Sequence, residues 1–152
     1  QKIEEIQKIT KQNQVIIGAH SMGGLVGAEA ISQEIELGRH SVPLLFTWGT
    51  PWQCSPLARL LPCVQVVQQM SSTSSFCHSL VKKINTIIAQ GLLKVVTVGS
   101  EADSLVPNSR AQLPGSEHIT YKYSGHLALT VNGLSQKLRT VLSSYLPKNA
   151  AK

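Results

Sequence analysis

Ala19-His20-Ser21-Met22-Gly23-Gly24 constrains this chain more than any other stretch. It follows the apolar run Val15-Ile16-Ile17 and leads into a segment of helical character from Leu25 to Leu37. Where a strand turns into a helix around a serine, the turn is so tight that the positions two before and two after it must be small. The strain of that turn holds the hydroxyl clear of the backbone, within reach of a histidine. Ser21 is therefore a candidate nucleophile.

The rest of the chain alternates strand and helix patterns. Ile3, Ile6 and Ile9 recur at helical spacing among Lys and Glu, which predicts a short amphipathic helix ending near Asn13. Gln14 to Gly18 reads as a buried strand, and Met22 to Leu37 as a helix with Gly38 as its stop signal. Val42 to Thr47 is a second strand, closed by the turn Gly49-Thr50-Pro51. Trp52 to Gln90 reads as mostly helical with a serine-rich break at Ser71 to Ser75, Leu93 to Gly99 as a third strand, and His118 to Tyr123 as a fourth. A last helix is expected from about Leu134 to Tyr145, before Pro147. Strands alternating with helices predict an α/β fold, a parallel sheet with flanking helices. No repeat or long linker divides the 152 residues, which read as one domain, 1–152.

Composition removes several function classes. The 42% apolar and 14% charged content belong to a globular chain. The formal charge of +6 is spread along the sequence, and the only adjacent basic pair is Lys82-Lys83, so no nucleic-acid partner is expected. Cys54, Cys63 and Cys77 lack metal-ligand spacing and read as free thiols or one optional disulfide, with no metal. No apolar run approaches the roughly 20 residues that span a bilayer, and no signal peptide is visible.

A serine hydroxyl is a poor nucleophile until an imidazole takes its proton and a carboxylate orients that imidazole. The sequence offers both at the ends of later strands. Asp103, the only aspartate, follows the strand Lys94-Val95-Val96-Thr97-Val98-Gly99, with Glu101 as the fallback acid. His126 follows the last strand in Tyr123-Ser124-Gly125-His126-Leu127. Each lies at or just beyond the C-terminal end of a strand, where open α/β sheets place their sites. His20 is beside Ser21 with its side chain expected to point away from the hydroxyl, and His40, His78 and His118 lack a matching placement. His118 reads as structural.

These residues, in the order Ser21, Asp103, His126, resemble the α/β-hydrolase superfamily, and within it the bacterial triacylglycerol lipases and esterases. The resemblance runs from about Gln14 to Leu142 on four landmarks: the segment around Ser21, Thr47-Trp48-Gly49-Thr50-Pro51, Ser100 to Pro107, and Gly125-His126. Ala19 stands where glycine is commonest. The resemblance implies that Gly49-Thr50-Pro51 lines the floor of the site and that Asp103-Ser104-Leu105-Val106-Pro107 carries the acid. In such enzymes several strands precede the nucleophile turn, and a loop after an early one supplies part of the oxyanion hole. Only a short helix and one strand precede Ser21 here. The chain therefore reads as the C-terminal portion of a hydrolase domain, with an upstream segment completing the sheet and weak or absent activity for residues 1–152 alone.

The backbone N–H of Met22 is the expected first oxyanion donor, helped by the helix dipole. Apolar residues between Gly49 and Ile88 suit an acyl-ester or lipid substrate and peripheral contact with a lipid surface, with Trp52 the best candidate for lining the acyl pocket. No cofactor is needed. Three functions stay in play: an ester hydrolase of lipase type, an acyltransferase with the same residues, and a non-catalytic binding module that keeps the fold.

Overall fold

The computed structural model describes residues 2–54, 74–132, 140 and 143. Its centre is a four-stranded, fully parallel sheet of β1 (Ile16–His20), β2 (Leu44–Trp48), β3 (Lys94–Ser100) and β4 (Glu117–Tyr121), in that spatial order. Parallel pairing demands a crossover between successive strands, and the helices supply it. The crossovers hold α2 (Gly23–Glu36), α3 (Ser75–Ala89) and the single turn α4 (Asn108–Ala111), while α1 (Lys2–Thr10) precedes β1 and α5 (Ala128–Asn132) follows β4.

The two central strands, β2 and β3, read as near-continuous apolar runs because both faces of the sheet are covered there. Alternation along each strand sorts the side chains into two cores. Leu45 and Val95 join Leu25, Ala28, Ile31, Leu80, Ile84 and Ile87 from α2 and α3 on one face. Leu44, Phe46, Val96, Val98 and Ile119 pack with Leu129 of α5 on the other. The register aligns His20 with Trp48 and Trp48 with Val98, so β1 and β2 finish level while β3 runs two residues further, to Ser100.

The predicted strands and the helix after Ser21 are all present, with ends shifted by one or two residues. α1 forms, but only Ile3 packs against the core; Ile6 and Ile9 are exposed. Arg39 instead ties α1 to the end of α2 by pairing with Glu4 and with the buried Glu34. α3 matches the end of the predicted helical stretch, with the Ser74 hydroxyl accepting from the Cys77 N–H as its N-cap. The remainder of that stretch, 55–73, and most of the expected last helix lie outside the described residues.

Of the two cysteine readings, the disulfide is the one formed. Cys54 and Cys77 are bonded, both fully buried. The bond closes a loop across a sequence separation of 23 residues. Chain-entropy arguments value a loop of that length at about 3 kcal/mol. The double variant Cys54→Ala/Cys77→Ala is expected to lose about that much in guanidinium unfolding of the oxidised proteins. A loss below about 1 kcal/mol would show that the denatured chain gains little freedom when the bond is absent.

Candidate active site

Ser21 sits between the end of β1 and the start of α2 with φ +54°, a left-handed conformation that non-glycine residues rarely adopt. The sheet enforces it: the Ser21 N–H donates to the Trp48 carbonyl at 2.8 Å, while the Ser21 carbonyl accepts from Gly24 N–H at 3.1 Å. Helix α2 must therefore begin immediately. Gly24 is required at its first turn, because a Cβ there would lie 2.1 Å from Thr50 Oγ1 and 2.8 Å from Thr50 Cβ.

Asp103 and His126 converge on this serine from loops beyond β3 and β4. His126 Nε2 lies 3.0 Å from Ser21 Oγ, and His126 Nδ1 lies 2.7 Å from Asp103 Oδ2. The other carboxylate oxygen, Oδ1, accepts from the N–H groups of Leu105 and Val106, each at 2.9 Å. Asp103 is buried and the His126 ring nearly so. A carboxylate with both oxygens engaged cannot swing away from the imidazole. Glu101 is exposed, and Asp103 occupies the position facing His126.

Three further residues hold this arrangement. Ser100, fully buried at the end of β3, accepts at Oγ from the N–H of Ala102 and of Ser124, each at 3.2 Å. One hydroxyl thus joins the loop of the acid to the loop of the histidine. Gly49, with φ +54°, lies directly beneath the His126 ring and the Asp103 carboxylate. His20 makes no hydrogen bond to Ser21; its Nε2 lies 2.9 Å from the His126 carbonyl oxygen, and the two rings are 4.6 Å apart. Each lies within a recognisable segment of the sequence, but the sequence does not show these contacts.

His118 is structural, as its position in the sequence indicates. Its Nε2 lies 3.1 Å from Asn108 Oδ1, which only accepts, so Nε2 carries the hydrogen. Its Nδ1 is 2.8 Å from Thr97 Oγ1 and accepts from that hydroxyl. Burial lowers the His118 pKa below the usual imidazole value, favouring this neutral form. The network fixes α4, which follows the loop of the acid, against β3 and β4.

Met22 is the N-cap residue of α2, no acidic side chain occupies the first turn, and the positive end of the helix faces the nucleophile unneutralised. Trp52 is not brought to Ser21. Its ring is 1% exposed in the core with Leu25, Ala28 and Leu80, and its Nε1 donates to Thr47 Oγ1 at 3.1 Å. The exposed large apolar side chains of the loops that carry Asp103 and His126 are instead Leu105, two residues after Asp103, and Tyr123 (91% exposed) and Leu127 (77%), near His126 in sequence. Among the described residues no cluster of three or more metal-ligating side chains occurs, and no helix is long and apolar enough to cross a membrane.

A parallel sheet with a left-handed serine at a strand-to-helix turn, facing a histidine and an aspartate from later strand ends, is the α/β-hydrolase fold. The chain belongs to the PGAP1-like alpha/beta domain family, which matches residues 1–141. No curated protein matches it. Among solved structures it is similar to the Bacillus licheniformis lipase BlEst2. In the mature form the identity is 18% and the TM-score 0.76, over 93% of this chain and 69% of the lipase. In the propeptide form they are 20% and 0.73, over 99% of this chain and 40% of that one. MGS-MChE2, an alpha/beta hydrolase enzyme from a sediment metagenome of the Mar Chica lagoon, Morocco, gives 16% and 0.58 over 95% of this chain and 66% of that one. The fold is thus the lipase and esterase type of α/β hydrolase, and the chain spans about two thirds of the mature lipase and two fifths of its propeptide form.

Proposed function

We propose that this protein is a serine hydrolase of carboxylic esters with an acyl or lipid substrate, using Ser21 as nucleophile, His126 as general base and then acid, and Asp103 as the group that orients His126. The observation that carries this reading is the unbroken chain of short contacts from Asp103 Oδ2 through His126 to Ser21 Oγ, at 2.7 and 3.0 Å. With Asp103 fixing Nδ1 as the protonated nitrogen, Nε2 presents its lone pair to the serine hydroxyl. Ser21 Oγ adds to the ester carbonyl carbon as its proton passes to His126 Nε2. The oxyanion forms at the start of α2, where the Met22 N–H donates to it. On collapse His126 returns the proton to the departing alkoxide, and water repeats the cycle on the acyl-enzyme.

The acyl preference is supported by Leu105, Tyr123 and Leu127, exposed apolar side chains in the loops that carry Asp103 and His126, which suit an acyl chain and contact with a lipid surface. β1 is the edge of the described sheet, and an upstream segment pairing there would bring a loop toward the oxyanion side to add a second donor.

An active-site-directed fluorophosphonate tests the reading directly. The wild-type chain is expected to be labelled once, and Ser21→Ala not at all. Equal labelling of the two, or none of either, would favour a non-catalytic module that retains the fold. Product analysis with water and with alcohol acceptors separates hydrolysis from acyl transfer, since both use the same acyl-enzyme.

A further inference from the structure

We propose that His20 is a positioning residue for His126, an inference that rests on the reading of His126 as the catalytic base. The His126 carbonyl oxygen can only accept, so the His20 Nε2 within 2.9 Å of it carries the hydrogen and donates. The same imidazole lies against the His126 ring, centroids 4.6 Å apart and planes inclined at 47°. His20 therefore holds His126 at two points, its main-chain carbonyl and one side of its ring. The third and fourth points are Asp103 at Nδ1 and Ser21 at Nε2.

The anchor itself is firm. His20 is the last residue of β1, in register with Trp48 of the neighbouring strand, and it is bonded in sequence to the nucleophile. Any movement of the strand end shifts Ser21 and the His20 clamp together, so the serine and its base keep their distance. A misplacement of about 1 Å between reacting groups costs about 10²-fold in rate. The clamp thus bears on the chemical step and not on substrate affinity.

Three variants separate its parts. His20→Leu removes donor and ring, His20→Phe keeps a ring without a donor, and His20→Gln keeps an N–H donor without the ring. With a p-nitrophenyl ester, His20→Leu is expected to lower kcat about 10- to 100-fold with KM within about twofold. His20→Gln should recover most of that loss and His20→Phe only part. Proton NMR supplies a readout independent of turnover, through the downfield resonance of the His126 Nδ1 proton shared with Asp103, identified by its absence in Asp103→Ala. That resonance should broaden or vanish in His20→Leu and persist in His20→Gln. An unchanged resonance and an unchanged kcat in His20→Leu would overturn the proposal, as would a Gln variant as impaired as Leu. If Ser21 takes no label while the resonance responds as described, the positioning stands and the hydrolase reading fails alone.

Discussion

Asp103→Asn is expected to lower kcat about 10⁴-fold while leaving the fold intact, the magnitude that follows when an orienting aspartate is neutralised in a Ser-His-Asp site. The reason lies in the two ends of this carboxylate. Oδ1 accepts from the N–H groups of Leu105 and Val106, and those donors will hold the amide oxygen of an asparagine in the same place. The amide nitrogen must then face His126 Nδ1, where the carboxylate Oδ2 now lies at 2.7 Å. An N–H there donates to Nδ1 and selects the imidazole tautomer with its hydrogen on Nε2. That nitrogen then has no lone pair for the Ser21 proton. Ester turnover and the fluorophosphonate labelling rate should fall together, with the melting temperature shifted by only a few degrees. A fall of less than tenfold would mean that another group orients the histidine, with Glu101 the first to test.

Gly49→Ala is expected to reduce kcat about 10²-fold by an unrelated route. A Cβ at position 49 would lie 3.0 Å from His126 Cε1, 3.1 Å from His126 Nδ1 and 3.3 Å from Asp103 Oδ2. All three atoms belong to the pair that must stay aligned, so the added methyl pushes the imidazole off the line to Ser21. The φ of +54° adds about 1–2 kcal/mol of backbone strain for a residue with a side chain. Stability by denaturant unfolding should therefore drop by that small amount, while the rate drops far more. A variant that keeps kcat within about threefold of wild type would show that the His126–Asp103 pair has room to yield.

Much of the fold was legible because its signals are local. The turn around Ser21 is written in the small residues Ala19, Gly23 and Gly24, and the central strands β2 and β3 in runs of apolar, mostly β-branched or leucine side chains. The spacing of Ile3, Ile6 and Ile9 marked α1 as amphipathic but left open what its apolar face meets. Helical spacing shows that residues share a face, but not whether anything packs against it, and here Ile3 alone meets the core. Trp52 was misplaced for a tertiary reason. Its nearness to Gly49-Thr50-Pro51 suggested the floor of the site, yet the turn carries its ring beneath the sheet to Thr47 and α2. Ser100 and His20 lie in recognisable segments, but their roles were not legible, because each acts through a hydrogen bond to a distant loop, 24 and 106 residues away in sequence.

By itself the sequence determined a parallel α/β architecture, a strained serine at the first strand-to-helix turn, and the order serine, aspartate, histidine. Those follow from backbone sterics and hydrophobic periodicity, which neighbouring residues settle among themselves. Only the tertiary structure decided that Ser21 and His126, 105 residues apart, meet at 3.0 Å, that Cys54 pairs with Cys77, and that Ser100, Gly49 and His20 hold the meeting in place. Such contacts depend on the register of parallel strands, which sets where each strand ends relative to its neighbour, and on the paths of the loops between them. No pattern of adjacent residues specifies either.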